Sequence, residues 1–226
     1  MIFIGMDDTD NLTSRGTGHL ARHIAAVLAA DYTVLGVIRH QLLEDPRVPC
    51  TKRNSCAAII LDVQSMPTSL MEQVQQLMLD DFQPGSDPGL CLAQIVPDII
   101  TEFGRRAQTE LVTQTDARSL AKTYNIPLLG LGGDEDGVIG ALAAVGLAAG
   151  GNDGRYVEVG RIRELSGLQP VPTILAAGVM AVQTLTGQLV AEGLVQTDKL
   201  RPARRNGQPV AVVERVDDYW QPLKLN

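Results

Sequence analysis

An apolar, β-branched run that stops against three carboxylates opens this chain: Met1-Ile-Phe-Ile-Gly-Met-Asp-Asp-Thr-Asp-Asn-Leu-Thr-Ser-Arg-Gly-Thr-Gly-His-Leu20. Bounded by Gly and Asp, the run predicts a buried strand. Gly16-Thr17-Gly18 then opens a helical pattern through Ala30, with Leu20, Ile24, Val27 and Leu28 on one face and Thr17 as the expected N-cap. Asp7, Asp8 and Asp10 therefore gather between a strand end and a helix start. Three like charges within four positions are unfavourable unless a cation or a basic partner offsets them. Carboxylate oxygens hold hard cations, and free amides at a helix start hold phosphate. The chemistry expected is magnesium-dependent handling of a nucleoside phosphate. Asp, Asn, Ser and Thr are also ordinary turn and cap residues, so plain turn chemistry stands as the alternative.

Beyond the first helix, Thr33 to Arg39 and Ala57 to Val63 are β-branched runs separated by the polar, Pro-bearing segment His40 to Ser55, too long for a tight hairpin. Met66 to Leu79 reads as a second helix with Pro67 in its first turn, and Cys91 to Val96 as a fourth strand after the turn-rich Gln83 to Gly89. The order βαββαβ is the split βαβ pattern of ferredoxin-like layers. The fold class expected is thus α+β, a mixed sheet with helices on it. Further on, Asp116 to Tyr124 reads as a helix, and Gly130 to Gly146 as a glycine-rich loop running into an Ala-rich helix. Gly140, Ala143 and Ala144 leave that helix a face small enough to lie tightly on another element. Past Gly151 the pattern offers a strand at Tyr156 to Ile162, an ambiguous apolar stretch from Pro172 to Thr186 and a strand at Pro209 to Val216. These make a smaller α+β subdomain, so the expected division is 1–150 and 151–226.

Composition narrows the function classes. With 45% hydrophobic and 20% charged residues the 226-residue chain can bury a real core, built from Ala, Val, Leu and Ile because aromatics are only 4%. A formal net charge of −7 argues against the broad basic surface that non-specific nucleic-acid binding needs. Arg201, Arg204 and Arg205 form a small basic cluster on an expected loop, read either as a docking point or as ordinary solvated surface. Cys50, Cys56 and Cys91 show neither C-x-x-C spacing nor a matched His pair, which indicates neither a zinc site nor a disulfide framework. His19 and His23 lack the glutamate of a metalloprotease helix and read as solvent-facing. No basic leader region and no 18-residue apolar run occur, so the expected location is the cytoplasm, with no membrane partner.

Three separated segments resemble one family, the ATP-dependent kinase-like domain of archaeal tRNA(Ile) 2-agmatinylcytidine synthetase. Ile4-Gly-Met-Asp-Asp-Thr-Asp-Asn11 is similar to its I/V-G-I-D-D-T-D-S, and the Gly-Thr-Gly-His-Leu-Ala that follows to its C-T-T-x-L-A. Val48-Pro-Cys-Thr-Lys-Arg-Asn-Ser-Cys-Ala57 resembles I-P-x-K-T-R-G-N-G-A, and Gly137-Val-Ile-Gly-Ala-Leu-Ala-Ala-Val-Gly146 resembles G-L-I-G-A-L-A-A-V-G. The resemblance spans residues 1 to about 150. Residues 151–226 look like a shortened form of the ferredoxin-like domain that follows in the family. The OB-fold and zinc ribbon with which the family grips tRNA are not expected within these 226 residues, which leave no room and no cysteines for them. Two departures stand out: Thr51-Lys52 replaces Lys-Thr, and Asp134-Glu135-Asp136 replaces a basic stretch before the third motif. The acids either recruit a second cation or repel the nucleotide.

The resemblance implies ATP as co-substrate and a magnesium ion held by Asp7, Asp8 and Asp10. Gly16, Thr17, Gly18, Gly137 and Gly140 are the expected nucleotide-binding positions. Asp8, Thr17, Lys52 and Arg53 are the expected catalytic group, with Lys52 and Arg53 on the developing charge of the transferred phosphoryl group. The leading expectation is an ATP- and magnesium-dependent phosphotransferase acting on a small-molecule or nucleoside-type acceptor. A non-catalytic ATP sensor and a tRNA-modifying enzyme that relies on a partner chain for its tRNA grip are the alternatives. A homodimer remains open.

Overall fold

The computed structural model describes residues 1–225. Its first six elements are β1 (Ile2–Asp7), α1 (Thr17–Leu28), β2 (Thr33–Gln41), β3 (Ser55–Asp62), α2 (Leu70–Asp80) and β4 (Gly89–Ala93). The strands lie in the order β4-β1-β3-β2 with antiparallel neighbours throughout, so the expected βαββαβ arrangement is present. Period-2 alternation explains how both sheet faces are covered. Ile2, Ile4 and Met6 of β1, with Ala57, Ile59 and Leu61 of β3, pack on Leu20 and Ile24 of α1 and on Leu70 and Val74 of α2. Phe3, Ala58 and Ile60 point the other way, into a second apolar cluster.

That second cluster is covered by α3 (Asp98–Thr109), α4 (Gln114–Thr123) and α5 (Gly137–Gly150), while β5 (Leu128–Gly130) extends the sheet beyond β4. The Ala- and Gly-rich α5 is buried on nearly every side between the sheet and α3. It lies close because glycines remove the side chains that would hold it off. A Cβ on Gly5 would meet the Ala141 carbonyl oxygen at 2.1 Å, and one on Gly146 the Ile100 carbonyl oxygen at 2.1 Å. The α3 helix was not among the sequence expectations, although Ile100, Phe103, Gly104 and Ala107 form its buried stripe. Gly104 within the run, and the polar residues around it, mask the period.

The remaining elements are β6 (Arg155–Glu158), β7 (Leu168–Pro170), α6 (Val171–Ala176), β8 (Ala181–Thr184), β9 (Leu194–Gln196), β10 (Ala203–Arg205), β11 (Gln208–Val216) and β12 (Tyr219–Pro222). The strand expected over 156–162 is shorter: it stops at Glu158 and a single 3-10 turn follows at Ile162–Glu164. The ambiguous stretch 172–186 divides into α6 and β8. β6 pairs antiparallel with β2, so the tail is hydrogen-bonded into the first sheet, and β10, β11 and β12 continue outward from it. Arg204, expected at an exposed cluster, is instead buried. Its guanidinium donates to the Ala148 and Gly207 carbonyls and to the Tyr156 hydroxyl. No helix among the described residues is long and apolar enough to cross a membrane.

Candidate functional site

A cleft of about 1040 Å³ lies where β1 ends, bounded by the start of α1, the loop between β2 and β3, and the start of α5. Asp8 takes a left-handed conformation, φ +50°, which Asp tolerates better than most residues and which turns the chain out of the strand. Asn11 closes the loop that follows by accepting from the Thr13 and Ser14 amides at 3.0 and 2.9 Å. Asp10 then reaches back to α1. Its Oδ1 accepts from the Thr17 amide at 3.3 Å and from the Thr17 hydroxyl at 3.2 Å, and its Oδ2 accepts from the Thr51 hydroxyl at 2.8 Å.

Thr17 was expected as the N-cap; the cap position belongs to Gly16, which has no side chain to cap with, and the Thr17 amide bonds to Asp10 instead. Thr17 is the first helical residue. Its buried hydroxyl is held between Thr9, which donates to it at 3.2 Å, and Asp10. Gly16, Thr17 and Gly18 all border the cleft, and nothing lies within 4 Å of where a Gly18 Cβ would stand.

Asp7 sits at the cleft floor against α5, so close that a Cβ on Gly140 would fall 1.8 Å from its Oδ2. Burial raises its pKa well above the ordinary carboxylate value, against the Asp8 amide and the Arg39 charge, with the Asp8 and Asp10 charges adding to the rise. Asp8 is pushed up to about 6, first by burial and then by Asp87, Asp10 and Asp136. Both shifts have one physical origin: several carboxylates share a partly desolvated space with too little positive charge beside them. Gly137 and Gly140 border this space as expected. Packing also requires glycine there, since a Cβ on Gly137 would meet the Asp87 carbonyl oxygen at 2.4 Å. Among the described residues no three His, Cys, Asp or Glu side chains converge closely enough to hold a metal ion between them.

Lys52 and Arg53 line the cleft from the loop between β2 and β3, both exposed, and Arg53 donates to Glu44 at 2.9 Å. The acidic stretch before α5 is divided in its loyalties. Glu135 pairs with Arg118 of α4, Asp136 accepts from the Gln114 side chain at 2.7 Å and lines the cleft, and the Asp134 amide donates to Asp87 Oδ1 at 2.7 Å. Sequence reasoning did not single out Asp87, Arg39 or Arg155 as site residues, yet all three border the cleft, as do Thr51 and Asp136 from the two stretches that depart from the family pattern. Asp87 stood within a turn-rich stretch. Arg39 and Arg155 become neighbours only through the pairing of β2 with β6.

No family model matches the sequence, and no curated protein matches it. Solved structures do. The chain is similar to a tRNA fluorescent labelling enzyme, with a TM-score of 0.57 and 23% identity over 64% of this chain and 35% of that one. The TiaS–tRNA(Ile2)–ATP complex gives the same score and identity, again over 64% of this chain and 36% of that one. The TiaS–tRNA(Ile2)–AMPCPP–agmatine complex scores 0.55 at 22% identity. At this identity the likeness establishes a shared fold, the one the sequence motifs led us to expect. The chain spans about a third of the length of these structures.

Proposed function

We propose that the chain binds ATP with a magnesium ion and activates a nucleoside by phosphoryl transfer, as the nucleotide-handling part of a tRNA-modifying activity. The observation that carries this reading is the cleft itself. Carboxylates short of positive charge, with Asp8 raised to about 6, share the cleft with the start of α1, which is open at Gly18. An anionic polyphosphate with its counter-cation relieves both: the cation offsets the carboxylates, and the phosphates take the helix-start amides. Magnesium commonly uses one or two protein carboxylates and completes its shell with phosphate oxygens and water, so a closed protein cage is not required. One or two of Asp7, Asp8 and Asp10 would hold it, and it would neutralise charge on the phosphates.

Each protein group then has a task. The helix-start amide of Gly18 orients the phosphates, with Gly16 keeping the approach open; the Thr17 amide is taken by Asp10. Gly137 and Gly140 let α5 come close enough to shape the floor. Asp10 fixes the Thr17 hydroxyl toward the cleft. To Lys52 and Arg53, which line the cleft from the neighbouring loop, we assign charge on the transferring group, which is where a loose phosphoryl-transfer transition state needs help. In the reaction a bond forms between the acceptor oxygen and the γ-phosphorus, and the β–γ bridging bond breaks to release ADP. The solved relatives of this fold were captured with tRNA, ATP and AMPCPP, which favours a nucleoside carried in tRNA as acceptor. The grip on the rest of the tRNA would come from a partner. A second reading, a free nucleoside-type acceptor, is favoured by the net charge of −7.

The test is magnesium-dependent ATP binding and turnover by the purified chain, with and without tRNA and with free nucleosides, resolving ADP from AMP. Asp8→Ala is expected to abolish metal-dependent nucleotide binding with little loss of stability, because it removes a repelled charge along with a ligand. Wild-type magnesium-ATP affinity in a folded Asp8→Ala protein would overturn the metal assignment. Release of AMP rather than ADP would overturn phosphoryl transfer.

A further inference from the structure

The loop between β2 and β3 is closed at its neck and thinly held at its tip. At the neck the Leu42 amide donates to the Asn54 carbonyl at 2.9 Å, the Asn54 side chain donates to the Leu43 carbonyl at 2.8 Å, and Arg53 pairs with Glu44 at 2.9 Å. Beyond the neck Arg47 turns back on Asp45, and Pro46, Arg47, Pro49, Cys50 and Lys52 are all exposed, so burial does little to fix the tip. Among the described residues, residues 45–52 make a single hydrogen bond outside the loop: the Thr51 hydroxyl donates to Asp10 Oδ2 at 2.8 Å.

The acceptor of that bond is itself held in place. Asp10 Oδ1 takes the Thr17 amide and hydroxyl at 3.3 and 3.2 Å, and the buried Thr9 donates to the Thr17 hydroxyl at 3.2 Å. A hydroxyl that donates to an anchored carboxylate makes a charge-assisted bond, about twice as strong as a neutral one. Thr51 thus fastens the tip of the loop to the start of α1. The order Thr51-Lys52, the reverse of the pattern this segment resembles, puts the hydroxyl where it reaches Asp10 and the ammonium at the next, exposed position along the cleft. Lys52 makes no ion pair among the described residues. A lysine is a point charge on a flexible stem, so where its backbone is held decides what it can meet.

We propose that Thr51 is a positioning residue: its bond to Asp10 holds the tip of the loop at the start of α1 and so keeps Lys52 at the cleft, where its charge meets the transferring phosphoryl group. That task for Lys52 rests on the function proposed above; the tie between the loop and the helix does not. Positioning of this kind acts on the transition state, because a charge already in place needs no reorganisation as the reaction proceeds. In this role Thr51 touches neither nucleotide nor acceptor, and its whole effect passes through Lys52.

Thr51→Val keeps the shape of the side chain and removes the hydroxyl, whereas Thr51→Ser keeps the hydroxyl. Two readouts on the full chain test the proposal. Without any ligand, trypsin is expected to cut after Lys52 at least fivefold faster in Thr51→Val than in the wild-type protein, and at the wild-type rate in Thr51→Ser. In magnesium-dependent ATP turnover, Thr51→Val is expected to lower kcat tenfold or more with less than a threefold change in KM, and Thr51→Ser to stay within threefold of wild type. Added to Lys52→Ala, Thr51→Val should cost less than a further twofold, because a residue that acts through Lys52 then has nothing left to position. Thermal melting checks that the variants fold; should Thr51→Val melt early, Thr51→Ala takes its place with the same expectations. Unchanged cleavage without the hydroxyl would overturn the tie. Unchanged kcat, or losses that multiply in the double variant, would overturn the role through Lys52. A chain that turns over no ATP, yet is cut faster in Thr51→Val, would remove the ATP reading and with it the task given to Lys52, and leave the tie standing.

Discussion

Asp8 joins the local chemistry of the cleft to a measurable pH dependence. Its carboxyl is pushed from the usual value near 3.8 to about 6 in the folded chain, so between those limits the folded state binds more protons than the unfolded one. Stability therefore falls as pH rises from about 4 to 6, and the penalty is fully present above 6. Asp8→Asn is expected to leave melting unchanged at pH 4 and to raise stability at pH 7.5 by on the order of 1 kcal/mol, after allowing for solvent screening of a partly exposed group. Melting curves at the two pH values check this, and an equal effect at both would contradict it. A ligand cation requires the ionised carboxylate, so its binding should strengthen as pH rises through 6. Gly18 gives the complementary case. A Cβ there meets nothing within 4 Å, so Gly18→Ala should stabilise α1 by roughly 0.5–1 kcal/mol while weakening nucleotide binding at the helix start. Denaturant unfolding and ATP titration on the same protein separate the two effects.

The element that most constrains the site is α5, because it brings Gly137 and Gly140 against Asp87 and Asp7. Its small residues are explained by the sheet and α3 on either side. Gly5→Ala would drive a methyl group into the Ala141 carbonyl, at 2.1 Å, where backbone rather than a yielding side chain stands opposite. Overpacking of this kind costs roughly 1–3 kcal/mol or more, and the cleft floor should shift with it. Chemical denaturation is expected to show that loss; an unchanged midpoint would mean that α5 can move away from β1 freely. The α1 and α5 helices were legible in the sequence, one from its apolar face and the other from its small-residue run. The α3 stripe was present too, but polar neighbours and Gly104 hid it. Short strands such as β5, β9 and β10 carry three residues each, too few for any period to register.

Across the whole molecule the tail is not a separate appendage: β6 pairs with β2, and Arg204 ties the end of α5 to Tyr156 and Gly207. Arg204→Ala would remove the charged hydrogen bonds to the Ala148 and Gly207 carbonyls and to the Tyr156 hydroxyl in a buried place, and a loss of about 2–4 kcal/mol is expected by thermal or denaturant unfolding. Any fall in RNA retention should follow unfolding rather than precede it, whereas Arg201→Ala and Arg205→Ala should be nearly neutral in stability. The strand that ends in Asp7, Asp8 and Asp10, the helix start at Gly16 to Gly18, the βαββαβ order and the tight helix after Gly137 are local matters. Periods of 2 and 3.6, and turn chemistry over a few positions, were enough to read them. Asp87 beside Asp8, Arg155 opposite Arg39, and the burial of Arg204 depend on strand pairings and packing between segments far apart in the chain. Register across such pairs is chosen by the burial of entire faces, and no short window of residues contains that information.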